Sequence, residues 1–161
     1  MFDSVLIIED EPELIDFISE ALKSRFTTVL CASNGEEALA LLKGNMVSLI
    51  ISDVNLPGGI SGIEIIKIAR SLGHACPVIF QTGNGEREVA LAALRLGAGD
   101  LLEKPYSKDD LTSSVERCIS IQKRKEQLVL LEKDGADPEQ TNKAKKMIGL
   151  IQVVNTQKKV S

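Results

Sequence analysis

An α/β protein with a parallel sheet is what this sequence of 161 residues predicts. Three observations lead there. Short apolar runs alternate with longer stretches of helical period, the pattern of βα units feeding a parallel sheet. The runs are too continuously apolar for half-exposed strands and match strands covered on both faces. Helix start and stop residues punctuate the chain between them.

The elements follow in order. The first run, Val5 to Ile8, leads into a helix opened by Pro12, since proline suits a first-turn position. The second, Thr28 to Cys31, is followed by Asn34 with Glu37 three residues on, a capping signal, and Gly44 stands where that helix should stop. The third run, Ser48 to Ser52, precedes a helix ended at Gly73. The fourth, Pro77 to Gln81, precedes one ended at Gly97. After the fifth, Leu101 to Glu103, Ser107 with Asp110 three residues on opens the last helix of the unit. No internal repeat or linker interrupts the chain before residue 133, so residues 1–122 are expected to form one domain and 123–161 an extension.

Composition excludes several function classes. With 43% hydrophobic and 26% charged residues the chain is globular, not disordered. No apolar run approaches the roughly 20 residues needed to span a bilayer. The opening MFDSVLIIEDE has no basic n-region, so no membrane contact and a cytoplasmic location are expected. Cys31, Cys76 and Cys118 are odd in number and far apart, and are expected to be buried small hydrophobes, not metal ligands or disulfides. A net charge of -4, four Phe, one Tyr and no Trp disfavour nucleic-acid binding. His74, the only histidine, is expected at the surface, and the basic QKRKE at 122–126 as a solvated helix face.

The chemistry stands at the ends of the apolar runs. VLII ends in Glu9 and Asp10, LIIS in Asp53, VIFQ in Thr82, and LLE in Lys104. Strands of a parallel sheet point one way, so these side chains converge at one rim, where open α/β sheets bind ligands. Singly each has an ordinary explanation, as a helix cap, turn residue, strand residue or surface charge. Three carboxylates in one place repel one another unless a cation neutralises them. Oxygen donors with no histidine or thiolate favour a hard metal, and Mg²⁺ fits best. A carboxylate there can attack phosphorus, with a lysine and a hydroxyl meeting the charge on the transferring oxygens.

The motifs IIEDE, LIISDVNLP, QTG at 81–83 and EKPY at 103–106 together resemble the receiver domain of two-component response regulators, over about residues 3–122. The resemblance implies a flavodoxin-like five-stranded parallel sheet of order 2-1-3-4-5 with helices on both faces. It implies a signalling switch, not an enzyme, with Asp53 as phosphoacceptor. Mg²⁺ would be held by Asp10, Asp53, the Asn55 backbone carbonyl and, through water, Glu9. Lys104, Thr82 and the Gly83 N–H would contact the phosphoryl group, and Pro105 would follow a cis bond. Its partners would be a histidine kinase or phosphotransfer protein and a downstream effector. The chain departs from the family in two places. Leu101 stands where a Tyr or Phe is usual, and the loop after Asp53, PGGISG, is one residue longer than the commonest pattern.

Other readings fit less well. A hydrolase of the haloacid dehalogenase type needs an acid two residues after the nucleophile, where this chain has Asn55. A degenerate scaffold would lack an acceptor, metal ligand or lysine, and none is missing. No phosphate-binding GxxxxGK loop occurs.

Beyond the domain, the absence of Pro and Gly from Ser107 to Lys133 predicts one helix of about 40 Å at 1.5 Å per residue. Asp134 and Gly135 would stop it. Asp137, Pro138 and Gln140 would start another, whose stripe of Ala144, Met147, Ile148, Ile151 and Val154, widened by Leu150 and Val153, would return antiparallel to the first. Such a hairpin is too thin to bury two wide stripes. A homodimer through residues 123–157 is the expectation, in preference to docking on its own domain.

Overall fold

The computed structural model describes residues 2–83, 91–93, 95–133, 139 and 141–149. The strands are β1 (Phe2–Ile8), β2 (Phe26–Ala32), β3 (Leu49–Asp53), β4 (Val78–Thr82) and β5 (Asp100–Glu103). The helices are α1 (Pro12–Leu22), α2 (Gly35–Gly44), α3 (Gly62–Ser71) and α4 (Lys108–Lys133), and residues 91–93, 95 and 141–149 are also helical. The sheet is parallel throughout, in the order β2-β1-β3-β4-β5. Two compact units are present, Met1–Cys118 and Ile119–Ser161.

Strand periodicity divides the core. Leu6, Ile8, Ile50, Val78 and Phe80 share one cluster with Ala38 and Leu42 of α2 and Ile65, Ile66 and Ala69 of α3. Their alternates Val5, Ile7, Leu49, Ile51 and Ile79 project from the opposite face, and all are fully buried. Ile18 and Leu22 of α1 and Leu111, Val115 and Cys118 of α4 are buried as well. The start of β5 is tied to α4, because Asp100 Oδ2 accepts from Ser114 Oγ and from the Arg117 guanidinium, each at 2.6 Å.

Helix starts follow local chemistry. Pro12 opens α1, and the Asn34 side chain accepts from the Glu37 N–H at 3.0 Å. Ser107 Oγ accepts from the Asp110 N–H at 3.1 Å, while Asp110 Oδ2 accepts from the Ser107 N–H at 2.9 Å, closing a capping box. Sequence reading left out the box of α3, where Ser61 and Glu64 exchange the same two bonds, although the S-x-x-E spacing was there to read.

Two expectations are corrected. His74 is buried, 2% exposed, because Nε2 bonds the Leu42 carbonyl at 2.8 Å while Arg70 grips the carbonyls of His74 and Cys76. Cys31 is exposed, whereas Cys76 and Cys118 are buried as expected.

In the second unit the helix runs unbroken to Lys133, as its lack of Pro and Gly predicts. Residues 141–149 return beside it, with Lys145 Nζ 2.6 Å from Glu132 Oε1. Arg124, Gln127 and Leu128 line a groove of about 390 Å³ with Lys143, Ala144, Met147 and Ile148. The expected stop at Asp134 and Gly135, the start at Asp137, Pro138 and Gln140, and Leu150, Ile151, Val153 and Val154 of the stripe lie outside the described residues.

Candidate functional site

The site forms where the strands end. Past Ile8 the chain turns over the carboxylate of Glu9, whose Oε1 accepts the N–H groups of Asp10 at 3.2 Å and Glu11 at 3.3 Å. Glu9 is fully buried and Asp10 is exposed. The neighbouring strand β3 ends in Asp53, also buried, whose Oδ1 accepts the Asn55 N–H at 2.7 Å. One carboxylate oxygen from each of Glu9, Asp10 and Asp53 lies within 4.8 Å of the others. All three donors are oxygens without a thiolate or imidazole among them, which suits a hard divalent cation.

The loop after Asp53 is shaped by its glycines. Gly58 and Gly59 adopt φ of 92° and 85°, where a side chain would be strained. Gly62 then opens α3 with its N–H on the Val54 carbonyl at 2.9 Å. A Cβ on Gly62 would lie 1.9 Å from the Asp53 carbonyl oxygen and 2.6 Å from Ser52 Oγ. Only glycine lets this helix start so close to Asp53.

Lys104 enters from β5. Its N–H donates to the Thr82 carbonyl at 2.8 Å, and the Lys104–Pro105 peptide is cis. The ammonium donates to Asp53 Oδ2, lies 2.9 Å from Glu9 Oε2 and 3.6 Å from Glu11 Oε1. It thus bridges the acids in the cluster. Burial disfavours its charge, but the hydrogen bonds to Asp53 and Glu9 and their negative charges outweigh that and hold Lys104 above the usual lysine value. Burial pushes the Glu9 carboxyl up, the Asp53 charge adds to it, and Lys104 opposes both. Tyr106 is pushed up too, first by burial and then by the charges of Glu9, Asp53 and Glu11.

Thr82 ends β4, buried, with Oγ1 donating to the Gly83 carbonyl at 3.2 Å. The β3–β4 register pairs Asp53 with Gln81, so Thr82 and Gly83 stand at the same rim one step further on. Glu9, Asp10, Asp53 and Lys104 are thereby brought together, with the Asn55 backbone on Asp53. Sequence reading missed Glu11, Gly62 and the Tyr106–Gln81 pair, in which the phenol donates to the amide oxygen. The polar end of the apolar run VIFQ was the available signal for that pair.

A cavity of about 580 Å³ adjoins the acids, lined by Asp10, Ser33, Asn34 and Gly35 on one side and Pro57, Gly58 and Ile60 on the other. It leaves the exposed Asp10 approachable from solvent.

Comparison with known proteins agrees with this geometry. The family described as "Response regulator receiver domain" matches residues 5–116. An NtrX-like response regulator of Rickettsia felis is 33% identical over 134 residues, covering 83% of this chain and 28% of that protein. The transcriptional regulatory protein FixJ of Bradyrhizobium diazoefficiens is 32% identical over 115 residues, 71% of this chain and 56% of FixJ. The chain therefore spans between about a quarter and a little over half of the length of these relatives. A response regulator receiver domain protein from Clostridium thermocellum superposes with a TM-score of 0.68 at 28% identity, over 75% of this chain and 97% of the other. A family match across most of the chain, on a sheet of the expected order ending in an acidic rim, means that the chain belongs to the response regulator receiver family, whose members are phosphoacceptor signalling switches and not classical enzymes.

Proposed function

We propose that this protein is a phosphorylation switch in which Asp53 accepts a phosphoryl group in a Mg²⁺-dependent reaction. The observation that carries the proposal is the Lys104 ammonium set between the Asp53 and Glu9 carboxylates in a cluster of three acids. A structural salt bridge needs one acid, and this one faces a charge surplus that a divalent cation would balance.

In the proposed step a carboxylate oxygen of Asp53 attacks the phosphorus of a phosphohistidine on a kinase or phosphotransfer protein. The P–N bond breaks, its electron pair stays on the imidazole, and an acyl phosphate forms on Asp53. Asp10, Asp53 and the Asn55 carbonyl would hold Mg²⁺, with Glu9 acting through water, and the ion would neutralise charge on the phosphoryl oxygens. Lys104 would pass from the Asp53 carboxylate to a phosphoryl oxygen, and the Thr82 hydroxyl and Gly83 N–H would donate to the others. Asn55, in the place where an aspartyl-phosphate hydrolase carries its acid, cannot donate and recover a proton, so the acyl phosphate persists as a signal.

The test is the intact mass of the full chain after treatment with acetyl phosphate and Mg²⁺. One added phosphoryl group is expected, absent in Asp53→Asn and when Mg²⁺ is chelated. An unmodified wild-type protein with a folded, metal-loaded site would reject the proposal.

The receiver proper, residues 1–122, would act in the cytoplasm and signal to a protein effector without binding nucleic acid itself. The extension of residues 123–161 would pair with a second copy. Exposure of Val129, Leu130 and Met147 on its helices supports that reading, since a stable helical hairpin leaves such side chains for a partner. No described helix is long and apolar enough to cross a membrane.

A further inference from the structure

Gln81 breaks the pattern of its own strand. The residues of β4 are all buried, and Gln81 is fully so, yet it carries an amide where an aliphatic side chain would fit. Its Oε1 accepts the Tyr106 hydroxyl, whereas its Nε2 has no hydrogen-bond partner among the described residues. Buried donors without acceptors lower stability. A residue that breaks a packing rule in this way points to function more often than to folding.

Its position says what that function is. The register pairs Gln81 with Asp53 on the adjacent strand, and in-register neighbours project from the same sheet face. Tyr106 lies two residues beyond Lys104, and its ring meets Phe17 of α1 with centroids 6.2 Å apart. The carboxylates of Glu9, Asp53 and Glu11 all act on its hydroxyl. Leu101, by contrast, packs into the cluster on the other face and has no polar atom with which to respond. The amide of Gln81 is therefore a dipole with its negative end pinned to Tyr106 and its positive end unengaged, beside the group whose charge changes.

We infer that Gln81 is a positioning residue that couples the charge on Asp53 to the placement of Tyr106. The inference rests on the proposed role of Asp53 as phosphoacceptor. Phosphorylation adds negative charge at Asp53. The amide turns its Nε2–H groups toward that charge and withdraws Oε1 from Tyr106, whose hydroxyl must then find another partner. Movement of Tyr106 alters the segment that joins β5 to α4. No bond is made or broken other than hydrogen bonds.

NMR of the isotope-labelled full chain with Mg²⁺, before and after addition of beryllofluoride as the phosphoryl mimic, tests the coupling. In the wild type, the backbone amides of Asp53 and Asn55, the Gln81 side-chain amide and the Tyr106 ring should all shift. In Gln81→Met the shifts at Asp53 and Asn55 should persist while the Tyr106 shift is lost. In Tyr106→Phe the Gln81 amide should still shift, a result that serves equally if Gln81→Met fails to fold. A Tyr106 response unchanged in Gln81→Met, or a silent Gln81 amide in Tyr106→Phe, would overturn the coupling. If beryllofluoride leaves Asp53 and Asn55 themselves unmoved in the wild type, the phosphoacceptor reading fails first and the coupling falls with it.

Discussion

The acidic rim and the C-terminal helices depart from ordinary burial in opposite directions. At the rim, charged side chains are inside: Glu9 is 0% and Asp53 6% exposed. In the C-terminal helices, apolar side chains are outside, with Val129, Leu130 and Met147 each about half exposed or more. Scattered apolar atoms on a surface need no explanation, but buried charges and grouped apolar side chains do. Under the proposed function, the difference marks what each region would meet. Preorganised charges in a partly closed site suit a small, highly charged group, while grouped apolar side chains suit another protein surface.

The sharpest way to break this contrast is at Gly62. Gly62→Ala forces a methyl against the Asp53 carbonyl oxygen, which backbone must yield to. A loss of about 3 kcal/mol is expected, by analogy with overpacked cores, together with loss of phosphorylation. Urea unfolding and intact mass check the two effects. An Ala variant that is stable and still phosphorylated would mean that α3 can move away without disturbing Asp53.

Lys104→Ala comes next. It leaves Glu9 and Asp53 without their shared cation, at a cost of about 2 kcal/mol for a partly exposed pair, below the range for fully buried ones. Mg²⁺ should restore much of that stability, because it neutralises the same acids. Thermal melts with and without Mg²⁺ would show a larger metal-induced rise than in the wild type. An equal rise would mean that the cation and the lysine act on different carboxylates.

A smaller effect comes from the helix caps, which titrate in the opposite sense to Glu9. Hydrogen bonds from Ser33, Ser61 and Ser107 hold Glu37, Glu64 and Asp110 below their ordinary values of 4.5, 4.5 and 3.8. A depressed folded-state pKa contributes stability that is complete above the unfolded value and is lost as pH falls through the folded one. Stability should thus decline as pH drops from about 5 toward 3. Ser61→Ala should make that decline shallower, as followed by denaturant midpoints across the range. An unchanged slope would show that the caps do not set the acid limb.

The smallest effect on folding belongs to the C-terminal helices. Leu130→Glu or Met147→Glu should change stability of the isolated chain by no more than about 0.5 kcal/mol, since both side chains already face solvent. Either change should nevertheless convert the expected dimer to a monomer in light scattering. A wild-type chain that is itself monomeric would show that these apolar groups await a different partner or fold onto the receiver.

Much of this was legible from residue types and spacing. The strand positions came from unbroken apolar runs, and the expected C-terminal ends of all five strands fall within a residue of those observed, while β1 and β2 begin two or three residues earlier than expected. Glu9, Asp10, Asp53 and Lys104 were found because parallel strands deliver their C-terminal residues to one rim. The caps at Asn34 and Ser107 are local, involving residues three apart, so sequence displays them directly.

Other features depend on neighbours distant in the chain, and no local pattern reveals them. His74 is buried because the Leu42 carbonyl, 32 residues away, meets its ring. The Lys104 ammonium bonds Asp53 across 51 residues, and Tyr106 finds Gln81 across 25. Gly62 is one of three glycines in the loop PGGISG, and nothing in that run sets it apart, yet the close approach of the Asp53 carbonyl makes it obligatory. The sequence alone determined the elements and the chemical groups at their ends, because periodicity and strand direction act over a few residues. Which of those groups share a proton or a charge, and which glycine has no room for a side chain, only the packed structure decided, since those interactions exist only once distant segments are held in contact.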